Sequence, residues 1–311
     1  MNEATPKILV LYFTQSGQLR AIIDSVLKDI NGYAAIDFVA IQPQTPYPFP
    51  WTPHRFFDTM PETVEHLPPP ILPLPAYVHE KEYDLVILGY QPWFLNPSQP
   101  ITAFLQSDDA KILQHKPVLT IIGSRNMWLH AQEKVKEYLL QHKANLVGNL
   151  VFFDTNSNII STLTVIRWSF KGQKEASGWL PAAGVQDKDI QAASRFGKLI
   201  LASLQEKNLH QLHEQMMLQD AVILNPGLVL LEQRGIKNFR FWSKFIREKG
   251  GPGDPHRKGR VLLFQRLLIV AIFFLSPISA VSAFIKLQLH KKKLEKDVVY
   301  FKGLHYEKGR I

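Results

Sequence analysis

The chain has 311 residues, 46% of them hydrophobic, with no cysteine and a formal net charge of +9. That length allows roughly two domains, or one domain with extensions. The lack of cysteine excludes disulfides, thiolate metal sites and a cysteine nucleophile. The opening MNEATPKILV has neither the basic start nor the long apolar stretch of a secretory signal, so export is not expected.

The charge is unevenly placed. Residues 1–236 hold 19 Lys and Arg against 22 Asp and Glu, whereas residues 237–311 hold 17 against 5. A slightly acidic body with a basic C-terminal region argues against a nucleic-acid partner and for an anionic membrane surface.

In chain order, Lys7 to Phe13 reads as a short buried strand. Leu19 to Lys28 reads as a helix, with Leu19, Ile22, Ile23, Val26 and Leu27 at helical spacing. Strands follow at Ala34 to Ile41, Leu85 to Gly89, Val118 to Ile122 and Leu146 to Phe153. A short helix begins at Ile101 to Leu105, and longer ones are expected over Met127 to His142 and Asp187 to Lys207. Strands alternating with helices predict an α/β fold, a doubly wound parallel sheet with right-handed crossovers. Five apolar strands with a hydroxyl- and glycine-bearing turn after the first fit the flavodoxin-like order 2-1-3-4-5. A Rossmann dinucleotide fold is disfavoured, since no G-x-G-x-x-G follows strand one.

Residues 43–75 hold 11 of the 21 prolines. The prolines predict the loss of the usual second crossover helix. Tyr47, Phe49, Trp51, Phe56 and Phe57 predict an ordered aromatic lid there rather than a solvated linker. Arg247 to Arg260, REKGGPGDPHRKGR, reads as a Gly/Pro linker without the G-K-[ST] of a phosphate loop. Leu267 to Ile285 is an uncharged run of 19 residues, about enough to cross ~30 Å of hydrocarbon. Arg257, Lys258, Arg260 and Arg266 precede it, and Lys286, Lys291, Lys292 and Lys293 follow. A single span kinked at Pro277 is expected over a hairpin, whose bend would leave backbone groups without partners in lipid. The expected organisation is a flavodoxin-like domain over 1–210 with a Pro/aromatic-rich loop at 43–80. A helical extension and linker over 211–260 follow, then a membrane segment at 261–289 and a basic tail at 290–311.

The turn Thr14-Gln15-Ser16-Gly17-Gln18 lies where free helix N–H groups and the helix dipole favour an anion. It resembles the flavodoxin phosphate loop, with Leu19 in place of the last hydroxyl residue. On the turn alone, a plain helix cap and a phosphate site stand even. Two further loops follow strand ends: Gln91, Pro92, Trp93, Phe94, Leu95 and Asn96 after strand three, and Gly123, Ser124, Arg125, Asn126 and Trp128 after strand four. These are the positions where open α/β sheets hold ligands. Aromatic rings there can stack on a flavin, and Arg125 can place positive charge near its pyrimidine edge. FMN is the expected cofactor, and no metal site is expected: His210 and His213 share a helical face without a carboxylate cluster.

The segments YFTQSGQL, YPFPWTPHRFFDTMPE, GYQPWFLNPSQPIT, IGSRNMWLHAQEKV and FRFWSKFIREKGGPGDPHRKGRV together resemble the bacterial dialkylresorcinol condensing enzyme family, flavodoxin-like partners of ketosynthases. The resemblance implies an FMN-dependent aromatase that oxidises a lipophilic dialkylcyclohexane-1,3-dione to a dialkylresorcinol, beside a ketosynthase partner. The apolar run with its basic flanks, together with the lack of an export signal, leads to the expectation of attachment to the cytoplasmic side of the inner membrane; a homodimer is possible. His54 and Asp58, in the aromatic loop, are the candidate catalytic bases. The alternatives are a membrane-bound NAD(P)H-quinone-type flavin reductase and a flavin-free scaffold for a ketosynthase.

Overall fold

The computed structural model describes residues 5–275 and 291–310. Five parallel strands form the central sheet: β1 (Lys7–Tyr12), β2 (Ala35–Ala40), β3 (Leu85–Tyr90), β4 (Pro117–Ser124) and β5 (Asn145–Phe153). Their order is 2-1-3-4-5, with Ile8 opposite both Ile36 and Leu85, and Leu88 opposite Thr120. All five expected strands form, and the strand order is the flavodoxin-type one.

The connections follow from right-handed crossovers. The chain moves one way from β1 to β2 through α1 (Gln18–Leu27). It moves the other way from β3 through α5 (Gln99–Gln106) to β4, and through α6 (Leu129–Gln141) to β5. The crossover helices must therefore cover opposite faces. With both faces covered, β1 and β3 are apolar runs buried along nearly their whole length.

Helices also form where the prolines predicted none. α2 (Pro53–Asp58), α3 (Met60–Val64) and the single turn α4 (Tyr77–Glu80) lie between β2 and β3. Pro53 and Pro61 sit in the first turns of α2 and α3, where a missing N–H costs nothing, and the Thr52 hydroxyl accepts from Arg55 N. After β5 come α7 (Asn158–Lys171), α8 (Asp187–Gln191), α9 (Arg195–Gln205), α10 (Leu212–Met217), α11 (Pro226–Arg247) and α12 (Lys258–Val270), and last α13 (Lys291–Lys302). The expected helix over Asp187 to Lys207 is broken by a 3₁₀ turn at Ala192–Ser194, and α9 then packs on α1.

Two apolar cores result. The first fills both faces of the sheet and takes in Val229 of α11 together with Leu294 and Phe301 of α13. The second gathers Phe57, Met60, Ile246, Val261 and Phe264, with Phe94, Phe170, Phe239 and Trp242 against it.

The stretch read as a Gly/Pro linker is tied to this second core. Arg257 is fully buried. It donates to Asp58 Oδ1 at 2.7 Å and to Glu62 at 2.9 and 3.1 Å, and Arg247 reaches the same Glu62 at 2.8 Å. Arg257 is thus an interior ion-pair partner, not a cation flanking a membrane segment. The basic tail is likewise built in. Tyr300 Oη donates to Glu133 at 2.6 Å, and Lys136 Nζ bridges Glu133 and the His305 carbonyl.

Of the apolar run at 267–285, the end of α12 and a π-helical turn at Ala271–Leu275 are described. Pro277 and the rest lie outside the described residues. Among the described residues, no helix is long and apolar enough to cross a membrane.

Candidate functional site

At the carboxyl ends of β1, β3 and β4 lies a cavity of about 280 Å³. All three loops singled out from the sequence meet on it. Gln15, Ser16, Gln18 and Leu19 line it from the first loop, Gln91, Pro92, Trp93 and Phe94 from the second, and Gly123, Ser124 and Arg125 from the third.

The first loop is shaped by its own chemistry. Gly17 adopts φ 82° as the residue before α1, a left-handed conformation that glycine takes without steric cost. Its N–H donates to Thr14 Oγ1 at 3.1 Å. No side chain caps α1, so its first N–H groups have no side-chain acceptor, and Gln18 and Leu19 of its first turn line the cavity. Thr14 and Gly17 therefore build the turn without lining the cavity.

Gln15 and Gln18 act as ties. Gln15 Nε2 donates to the Pro48 carbonyl at 3.0 Å, anchoring the Pro-rich loop, and Gln15 N donates to Gln91 Oε1 at 3.4 Å. Gln18 exchanges two hydrogen bonds with the Val185 backbone, at 3.0 and 3.1 Å.

The aromatic lid is ordered. Trp93 packs edge-on against Phe13, Tyr47 and Trp51, with ring centroids 5.0–5.8 Å apart. Phe49 meets Trp168 of α7, and Phe56 meets Phe94. Phe49, Trp51, Phe56 and Trp168 all line the cavity, as do Val165, Ser169 and Gly184.

The second loop is a tight hairpin pairing Pro92–Trp93 with Asn96–Pro97. Phe94 and Leu95 take φ 47° and 66° at its tip, an unusual conformation for bulky residues, held here by burial on both sides. The turn divides the loop. Phe94 lines the cavity, whereas Leu95 is buried against Gly235 of α11. Asn96 Oδ1 accepts from His66 Nε2 at 3.0 Å, and Asn96 Nδ2 donates to Phe94 O at 2.9 Å. Leu95 and Asn96 thus hold the hairpin and do not line the cavity. Burial lowers the His66 pKa to about 4, which keeps the ring neutral.

In the third loop, Arg125 Nη1 donates to Asn158 Oδ1 at 2.9 Å and Thr162 Oγ1 at 2.8 Å. Burial lowers its pKa to about 10, with nearby Asp154 acting the other way. It remains a cation at neutral pH and, among the described residues, is the only charged one on the cavity lining. Ser124 Oγ is buried with no protein partner. Asn126 and Trp128 face elsewhere, onto a neighbouring cleft. Trp128 is buried beneath the loop, and its N–H donates to Glu232 Oε1 at 2.7 Å. Glu232 also accepts from the N–H groups of Leu129 and His130, capping α6 from α11. Burial raises its pKa to about 7 despite those three donors.

His54 and Asp58 stand apart from this cavity. They line a second one of about 640 Å³ with Tyr47, Arg55, Glu62 and Arg247, and Trp51 is a wall common to both. Asp58 is taken up by Arg257 and by Gly253 N at 2.9 Å. His54 Nδ1 is buried without a hydrogen-bond partner.

The residues of the first cavity suit a flavin phosphate. An uncapped helix start, one cation, no acidic lining residue and an unpartnered serine hydroxyl are what an anion requires, and flat rings surround the remaining space.

No protein-family model matches the chain, nor does any curated protein sequence. Among solved structures, a candidate flavoprotein from Bacteroides eggerthii aligns at 18% identity and TM-score 0.37, over 51% of this chain and 96% of that one. An oxidoreductase from Corynebacterium diphtheriae aligns at 12% identity and TM-score 0.34, over 66% of this chain and 99% of that one. RosB, solved with an 8-demethyl-8-formylriboflavin-5'-phosphate intermediate, aligns at 12% and 0.34, over 71% of this chain and 91% of that one. These alignments are too loose to carry cofactor or reaction across; the fold assignment rests on the strand order itself.

Proposed function

We propose that the first cavity binds flavin mononucleotide and that the protein is a flavin-dependent oxidoreductase. One observation carries this reading: the uncapped start of α1, the β3 hairpin and Arg125 meet on one aromatic-walled cavity whose lining holds no acidic residue.

Bound there, FMN would supply a two-electron acceptor. The chain's own contribution is position and exclusion. Ser16, Gln18 and the first N–H groups of α1 would hold the phosphate. Trp51, Trp93 and Trp168 would keep water from a ring bound there. Arg125 gives the cavity a positive field that favours anionic forms of a bound molecule. Among the described residues, no carboxylate or histidine lines this cavity, so they offer no general base at its wall; His54 lines the cavity beyond Trp51, and Asp154 lies close to Arg125.

The substrate that fits the sequence resemblance is a dialkylcyclohexane-1,3-dione, oxidised to a dialkylresorcinol beside a ketosynthase, at the cytoplasmic face of a membrane. Such a dione suits a site without a strong base, because two carbonyls share the charge of its enolate.

The test has two stages. Purified full-length protein should carry a flavin absorption spectrum, and the released cofactor should be FMN; a colourless protein that takes up no FMN in titration ends the reading. Mixed with a 2,5-dialkylcyclohexane-1,3-dione without oxygen, it should form resorcinol and bleach the flavin in equal amounts. Resorcinol formed with the flavin still oxidised and no acceptor present would exclude the oxidative route.

A further inference from the structure

The two described flanks of the apolar run belong to one folded body. Before the run, α12 buries Val261 and Phe264 in the second core, and Arg257, one residue ahead of it, is locked between Asp58 and Glu62. After it, α13 buries Leu294 and Phe301 in the first core. His213 Nε2 meets the Lys302 carbonyl at 2.9 Å, and α13 packs on α11. A body cannot have these two helices in its cores while a bilayer separates them.

α12 is itself two-faced. Val261, Phe264 and Leu268 point into the protein. Leu263, Leu267 and Val270, at spacing i, i+4, i+7, are each more than two-fifths exposed and form a stripe leading into the uncharged run. Around both flanks stand exposed cations, Lys258 and Arg266 on α12 and Lys291, Lys292, Lys293 and Lys296 on α13. Apolar stripe and clustered cations match a bilayer with anionic headgroups.

We propose that the protein attaches to an anionic bilayer from one side only, with the folded body, α12 and α13 all on the same face. This rests on the membrane reading given above and replaces the single crossing expected from the sequence. It also orients the site. Phe264 of α12 touches Phe57, which touches Phe56, and Phe56 and Phe94 wall the first cavity. That wall is therefore the one backed by α12, on the side of the body that faces the bilayer.

The chain's lack of cysteine makes the test direct. Full-length Val299→Cys, on the exposed side of α13, and Leu218→Cys, on the exposed surface after α10, are expressed in a bacterial host. Right-side-out and inside-out membrane vesicles are then treated with an impermeant maleimide. Both variants should label in inside-out vesicles and neither in right-side-out ones. Val299→Cys labelling from the side opposite Leu218→Cys overturns the one-sided attachment and leaves the membrane reading standing. Both variants recovered in the soluble fraction, as monomer or as self-associated dimer, overturn the membrane reading and this inference with it. The flavin content of that fraction then reports on the cofactor separately.

Discussion

The two cavities share Trp51 and differ in almost everything else. The first has a single charged residue on its lining, Arg125, and is walled by aromatic rings and amides. The second is crowded with ionisable groups, among them Tyr47, His54, Asp58, Glu62 and Arg247. The difference separates two uses of charge. In the second, charges face one another and hold the Pro-rich loop to the C-terminal helices. In the first, one cation and a helix start are left for something that the chain does not itself supply.

The largest test of this contrast is Arg257→Met. Removing the cation leaves Glu62 with Arg247 alone and Asp58 with only the Gly253 N–H, and breaking a buried pair in this way costs about 3–5 kcal/mol. Denaturant unfolding should show that loss; a change under 1 kcal/mol would mean that the network is not what holds the segment.

Glu232 sits behind the first cavity's third loop. Its folded pKa of about 7 lies above the ordinary 4.5, so the folded state keeps a proton that the unfolded chain has released. Its contribution is fully present below pH 4.5, declines as pH rises to about 7, and is then constant, a change of roughly 3 kcal/mol. His66 acts in the opposite sense: lowered to about 4, it costs stability as pH falls below 6.5. Glu232→Gln should flatten the stability curve between about pH 4.5 and 7 and leave the region above pH 7 without slope as before; an unchanged slope between pH 5 and 7 would show that Glu232 is ionised throughout.

Ser16→Asp places a carboxylate in the bare cavity. FMN affinity should fall on the order of 100-fold through like-charge repulsion, with the circular dichroism unchanged. Retained affinity would remove the phosphate-loop assignment. The smallest effect is expected at Gly184, which has φ 82°. A Cβ there would run into the Gln18 side chain and come within 2.9 Å of Trp168 Cζ3, so Gly184→Ala should cost about 1–2 kcal/mol. FMN affinity should drop with it if the Gln18–Val185 tie shapes the phosphate loop.

The sheet was legible in the sequence because buried parallel strands are unbroken apolar runs, and three of its loops announced themselves by turn residues at strand ends. What stayed hidden had specific causes. α7 carries β-branched residues at Ile159, Ile160, Thr162, Thr164, Val165 and Ile166, which blur a helical pattern, so Trp168 and Ser169 went unseen as cavity walls. The prolines hide the helices of the Pro-rich loop, because proline breaks a helix interior and yet is well placed at a first turn, where Pro53 and Pro61 stand. Leu95, Asn96, Asn126 and Trp128 were grouped with the site by nearness in sequence; the hairpin tip and the start of α6 turn them away. Gly184 gave no local signal, since its role depends on Gln18, far away along the chain.

α13 completes the first core, and that fixes an order of events in biosynthesis. Leu294 and Phe301 leave the ribosome after the uncharged run, so the run is exposed to the cell before the domain that carries it can close. On the one-sided attachment proposed above, membrane capture would precede final folding. For the same reason, a truncation made before Lys291 to obtain a more tractable protein would remove a piece of the interior and leave an open apolar groove prone to aggregation.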